Sequence, residues 1–83
     1  EKDAYFGENT KFKGKAEFNH VKFKGKAEFN HVKFIRYTYF KHVKFKGKAE
    51  FNHVKFSKNA SFSHATFDKL ANFDNPKFEN KAY

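Results

Sequence analysis

The string KGKAEFNHVKF runs from Lys13 to Phe23, again from Lys24 to Phe34, and a third time from Lys46 to Phe56. The segments Ile35–Phe45, Ser57–Phe67 and Asp68–Phe78 have the same length and are diverged copies of it. Self-similarity at a fixed period is the signature of a solenoid, in which each unit buries its apolar side only against its neighbours. Each copy holds two phenylalanines. Along the chain they fall at 6, 12, 18, 23, 29, 34, 40, 45, 51, 56, 62, 67, 73 and 78, with two spacings of 6 followed by a strict alternation of 5 and 6. Two residues before each Phe stands a small or β-branched residue: Ala16, Val21, Ala27, Val32 and so on, with Thr10 and Thr38 as variants and Pro76 as the exception. The unit is therefore small-x-Phe-x-x, with one extra residue in every second copy.

Composition agrees with a repeated unit more than with an ordinary globule. The 83 residues suffice for one small domain. Phe occurs 14 times, Leu and Ile once each, and Cys, Met and Trp never. A mixed core would use several aliphatic shapes to fill space. Zero Cys excludes disulfides, Cys-based metal sites and a Cys nucleophile. High charge suggests disorder, but disordered chains are poor in aromatics and this one is 22% aromatic with regular spacing. No apolar run approaches the roughly 20 residues of a membrane helix, and no signal-peptide pattern is present. The chain opens at Glu1, so a processed product or a segment of a longer repeat array is expected, with residues 1–83 forming a single solenoid domain.

The period of the repeat also fits three turns of α-helix. At about 100° per residue, however, Phe18, Val21, Phe23 and Ala27 would surround the helix and leave no polar face. Gly in each intact copy adds a cost of about 1 kcal/mol. A strand suits the unit better. Residues i and i+2 point the same way, so the small residue and the Phe both face inward. The residue between them faces out and is polar: Glu17, Lys22, Glu28, Lys33, Lys44, Glu50. The two or three residues that follow turn a corner, with Gly14, Gly25 and Gly47 read as the residues of freest backbone.

These A-x-F-x-x units, with AEFNH-like and VKFKGK-like copies alternating, resemble those of pentapeptide-repeat proteins over residues 4–83. The resemblance implies an all-β, right-handed quadrilateral β-helix with four units per coil, about 22 residues per coil and about three and a half coils. It further implies four inner columns: Phe18, Phe40 and Phe62; Phe23, Phe45 and Phe67; Phe6, Phe29, Phe51 and Phe73; and Phe12, Phe34, Phe56 and Phe78. Two departures stand out. The doubled spacing between Phe6 and Phe18 implies a bulge near Glu8, Asn9 and Thr10, and Pro76 lacks a backbone donor. The alternative geometry is a two-sided solenoid in which each coil is a single copy of the repeat and Phe from both sheets shares a thin core.

Several side chains invite a chemical reading. His20, His31, His42, His53 and His64 recur once per copy of the repeat. In a four-sided coil they stack in two ladders, and stacked imidazoles can share a metal. Duplication of a corner residue explains the same spacing, and no metal or cofactor is expected. No phosphate-cradling Gly loop, dinucleotide fingerprint or supported catalytic triad is present, and a core filled with Phe leaves no pocket for a small-molecule substrate. An enzyme is not expected. The formal charge is +9, and residues 10–56 hold 13 Lys and Arg against 3 Glu. Lys22, Lys24, Lys26, Lys33, Lys44, Lys46, Lys48 and Lys55 form a basic surface, expected on two opposite sides, that suits a polyanion such as nucleic acid or an anionic surface. Solubility and protection against strand stacking explain the same lysines. Ile35, Arg36, Tyr37 and Tyr39 break the pattern, with Ile35 and Tyr39 expected outward as a small contact spot. Some pentapeptide-repeat relatives mimic DNA and act on a topoisomerase, but that mimicry needs an acidic surface. The expected function is a non-enzymatic scaffold that binds protein or itself through its coil ends, since no cap is visible at either end. Binding of a polyanion through the lysine sides is the alternative.

Overall fold

A computed structural model of the chain describes residues 3–7 and 9–83. Among these residues there is no helix. Fourteen two-residue strands pair in parallel into four sheets, which are the four faces of a coil. The first face holds Ala4–Tyr5, Ala27–Glu28, Ala49–Glu50 and Ala71–Asn72. The second holds Lys11–Phe12, Lys33–Phe34, Lys55–Phe56 and Lys77–Phe78. Ala16–Glu17, Thr38–Tyr39 and Ala60–Ser61 form the third, which Ala82 extends by a bridge to Ala60. Lys22–Phe23, Lys44–Phe45 and Thr66–Phe67 form the fourth. Registers such as Lys22↔Lys44 and Ala27↔Ala49 make one coil out of two copies of the repeat, so the two-sided alternative is excluded.

The faces carry different sequences. The alanine copies lie on the first and third faces and the valine copies on the second and fourth. Phe rings within a column stack nearly parallel, with centroids 4.8 to 5.1 Å apart for pairs such as Phe29–Phe51 and Phe34–Phe56. That is about the spacing of neighbouring strands, roughly 4.7–4.9 Å. Across the coil, the first- and third-face columns interleave edge to face: Phe29–Phe40 at 5.5 Å and 88°, Phe40–Phe51 at 5.6 Å and 88°. Aromatic quadrupoles favour offset-stacked and edge-to-face pairs, and both occur here. Ala16, Ala27, Ala49 and Ala60 fill what remains beside the crossing rings, while Val32, Val43 and Val54 fill the other two faces.

All fourteen Phe rings take part in these columns, but burial depends on the coil. Phe29, Phe34, Phe40, Phe45, Phe51 and Phe56 are fully buried. Phe6, Phe12, Phe18, Phe23, Phe62 and Phe67 are partly buried. Phe73 and Phe78, which close the first and second columns in the last coil, are 37% and 38% exposed. The expectation of a core made of all fourteen is corrected for these two. Each fully buried ring contributes about 1.5–3 kcal/mol of transfer free energy, most of which offsets chain entropy.

The corners overturn the reading of the glycines. No described Gly has positive φ; the positive values belong to Asn9, His20, His31, His42, His53, His64 and Asn75, between 52° and 67°. These residues recur once per copy, at the third place of tight turns such as Phe18-Asn19-His20-Val21, closed by Val21 N–H to Phe18 O at 3.4 Å. Asn and His are enriched among non-Gly residues in this left-handed region. The His ladder is thus a backbone device at the shorter corners. Glycine acts at the longer corners through space. A Cβ on Gly47 would lie 2.5 Å from the Gly25 carbonyl oxygen, whereas one on Gly14 would meet nothing within 4 Å.

Both sequence irregularities are absorbed without loss of a ladder. Ala4 pairs with Ala27 while Lys11 pairs with Lys33, so the first offset exceeds the second by one and the extra residue lies in the corner between them. Glu8 lies outside the described residues; beside it Thr10 N–H closes a turn on Gly7 O at 3.2 Å. Pro76 occupies a position whose N–H serves only its own turn, as Val32 N–H does toward Phe29 O, and the neighbouring Lys77 N–H still reaches Val54 O at 2.8 Å.

The glycine argument gives a paired test. Gly47→Ala should destabilise the chain by about 1–3 kcal/mol through overpacking against backbone, and Gly14→Ala should stay within about 0.5 kcal/mol, read from urea midpoints. Equal effects would refute the steric role.

Candidate functional site

Each outward lysine takes its place from the coil geometry. Lys22 and Lys44 pair in register at the centre of the fourth face. The corner that follows carries Lys24-Gly25-Lys26 and, one coil on, Lys46-Gly47-Lys48. These six lysines form one patch. Lys33 and Lys55 lie on the second face, across the coil, in register with Lys11 and Lys77. The structure therefore divides the expected basic surface in two. Ile35, Arg36 and Tyr37 lie on the corner between the second and third faces, diagonally away from the six-lysine patch.

In the contact spot, Ile35 and Tyr39 are partly buried and Tyr37 is exposed. Tyr39 lies between Lys41 and Lys15, whose Nζ atoms stand 5.2 and 6.0 Å from its ring centroid. Cations over an aromatic face are held by its quadrupole. Beside Tyr39, a shallow groove of about 330 Å³ is lined by Lys41, Ser61, Ser63 and Tyr83 among others.

The lysines are not uniformly available. Lys26 Nζ lies 2.8 Å from Glu28, Lys48 Nζ 3.4 Å from Glu50, Lys15 Nζ 3.1 Å from Glu17, and Lys55 Nζ 3.3 Å from Glu79. The Glu28 contact raises the Lys26 pKa. Lys22, Lys24, Lys44 and Lys46 make no such pair among the described residues. A groove of about 420 Å³ runs along the glycine corner, lined by Lys24, Lys26, Lys46, Lys48 and Lys69 around Gly25 and Gly47, with Asp3 at one end.

Two elements of this surface escaped sequence reasoning. One is an asparagine ladder: Asn30 Oδ1 accepts Asn52 N–H at 2.9 Å, Asn52 Oδ1 accepts Asp74 N–H at 2.9 Å, and Asn19 Oδ1 accepts Lys41 N–H at 3.1 Å. The recurrence of Asn before His was visible, but the donor it serves lies a full coil away. The other is Asp3, whose Oδ1 accepts Lys26 N–H at 2.8 Å. That bond, and the Tyr5 hydroxyl at 2.9 Å, hold the Asp3 carboxyl below its ordinary pKa.

The imidazoles of His20, His42 and His64 stack at 4.9 and 4.8 Å, and those of His31 and His53 at 4.9 Å, all nearly parallel. Among the described residues no group of three His, Cys, Asp or Glu side chains is arranged to hold a metal. The ladder is explained by its corner. His42→Asn should therefore change stability by less than about 0.5 kcal/mol, whereas β-branched His42→Val should cost about 1–3 kcal/mol in the left-handed region, measured by denaturant melts. Equal tolerance of both would remove the backbone explanation.

A second test concerns Glu50, whose carboxylate accepts Asn30 Nδ2–H at 2.8 Å. That bond, with Lys48 nearby, lowers its pKa against the opposing effect of burial. A lowered folded pKa adds stability that is complete above the ordinary Glu range and lost as pH falls through the folded value. Wild type should exceed Glu50→Gln in urea midpoint at neutral pH, and the gap should close on acidification. A gap independent of pH would show that the carboxylate charge is irrelevant.

No curated protein and no solved structure matches the chain significantly. A family model described as pentapeptide repeats (9 copies) matches residues 40–82, just over half of the chain. That match falls on the diverged copies as well as on one exact copy of the repeat. With four parallel faces, one repeat unit to each side of the coil and a stacked Phe interior, the chain belongs to the pentapeptide-repeat family.

Proposed function

We propose that this solenoid is a non-enzymatic scaffold that docks protein, a second copy of itself included, through the open edge of its coils. The observation that carries this reading is the set of large apolar side chains exposed together in the coil that ends at Tyr83. Phe73 and Phe78 each present a bare ring face, and Leu70 and Tyr83 are exposed beside them. The backbone adds to this. Parallel ladders join successive coils on every face, as in Ala27 N–H to Lys48 O at 2.9 Å and Lys44 N–H to Val21 O at 3.0 Å, and on the third face bonds run both ways, Ala60 N–H to Lys81 O at 3.0 Å and Tyr83 N–H to Ala60 O at 2.8 Å.

An end coil therefore presents a row of both donors and acceptors at its edge. Head-to-tail stacking continues every ladder, and an added coil supplies the ring that each end Phe lacks. Such a contact is heterologous and does not close on itself. The lysine rows act against side-by-side contact of edges and do not cover the coil end.

Sedimentation velocity over a wide concentration range tests the reading. The expected result is a graded series of species growing with concentration, reduced by Phe78→Gln while circular dichroism keeps its β signature. A single one-chain species at every concentration, with a sharp thermal melt, would overturn it.

A further inference from the structure

We propose that the groove along the glycine corner is a docking site for an acidic peptide segment, whose carboxylates accept the backbone N–H groups of Lys48 and Leu70 as Asp3 accepts that of Lys26. This site is separate from the coil edge and does not depend on that reading. Asp3, Lys26, Lys48 and Leu70 occupy one column, because Ala4, Ala27, Ala49 and Ala71 pair in register next to them. At the bottom of the column the structure already holds a carboxylate. Asp3 Oδ1 takes the Lys26 N–H at 2.8 Å and keeps a depressed pKa there. The same cap recurs at another corner, where Asn59 Oδ1 takes Lys81 N–H at 3.2 Å.

One coil above Asp3 the residue beneath the donor is Lys26, and above that it is Lys48. A lysine has no acceptor. Among the described residues no acceptor meets the N–H of Lys48 or of Leu70. These two donors repeat at the ladder spacing of about 4.8 Å. Lys46 and Lys69 flank them in a groove that Gly25 and Gly47 leave open. Charge-assisted bonds from backbone N–H to carboxylate are among the stronger hydrogen bonds.

The lining favours a peptide over nucleic acid. No aromatic side chain lines the groove, so bases have nothing to stack on. Arg36, the chain's one arginine, stands on the diagonal corner. Glu28 and Glu50 lie beside the groove, tied to Lys26 and Lys48. They disfavour a dense phosphate chain more than a peptide whose charges are spread among neutral backbone groups.

The test uses a fluorescein-labelled polyaspartate peptide and anisotropy at several salt concentrations. Lys26→Asp places a carboxylate under Lys48 N–H and fills the site from within. Lys15→Asp removes the same charge at the diagonal corner, under Tyr37. The expected result is salt-sensitive binding, weakened about tenfold or more by Lys26→Asp and less than about twofold by Lys15→Asp. Equal weakening by the two variants would overturn the proposal in favour of diffuse attraction to a basic chain. If Lys26→Asp unfolds the chain, the exposed pair Lys24→Gln and Lys46→Gln replaces it, with Lys11→Gln and Lys33→Gln on the second face as the matched control. Inorganic polyphosphate and a single-stranded oligonucleotide serve as competitors. If either binds more tightly than polyaspartate with the same dependence on Lys26, the site is one for phosphate chains and the acidic-peptide assignment fails.

Discussion

The structure depends on a coincidence of two lengths. Parallel strands repeat at about 4.8 Å, and offset-stacked aromatic rings place their centroids about 4.5–7 Å apart, a range that includes that repeat. A Phe pointing inward from each strand can therefore stack on its counterpart with the ring planes parallel, as Phe34 does between Phe12 and Phe56. The ladder and the core then share one period, and neither has to be strained to suit the other. No aliphatic side chain offers a flat face of this kind, which explains a core that uses Phe almost to the exclusion of Leu and Ile. The edge-to-face crossing of the first and third columns locks the faces to one another and leaves only alanine-sized space beside the rings.

How much of this was legible follows from which features repeat. The Phe period specified the strands, the inward faces and the four columns, because inside positions tolerate little change. The coil of four sides came from resemblance, since the period of the repeat alone also allowed two sides. The corners were misread because Gly is the usual bearer of positive φ. Here the histidines bear it, and glycine serves to keep two backbones from colliding. Whether a Gly is needed for conformation or for space depends on the neighbour one coil away, and the linear sequence does not display that neighbour.

The surface was less legible for the same reason. Lys22, Lys24 and Lys26 are close in sequence and remain close in space. Lys33 ends on the far side of the coil, on the second of the two opposite sides expected for the lysines. Asp3 gave no signal because it occurs once, and its partner Lys26 lies one residue further along than the regular coil would place it. Roles that belong to a single copy are hidden in a chain that is otherwise periodic. Chemistry in such a chain is to be sought where the repeat is broken and a neighbouring coil is not.

The extra residue of the first coil has a consequence for how the chain finds its fold. Two of the identical copies, Lys24–Phe34 and Lys46–Phe56, lie one coil apart, so moving a strand along the stack by a whole coil exchanges like for like at many positions. Repeat arrays can begin folding anywhere and are exposed to such slips. The longer first corner fits only between Tyr5 and Lys11. A shifted stack would have to carry that surplus residue through a corner built for two. The insertion works as a stop, giving a nearly uniform sequence one fixed point from which the order of its coils is counted.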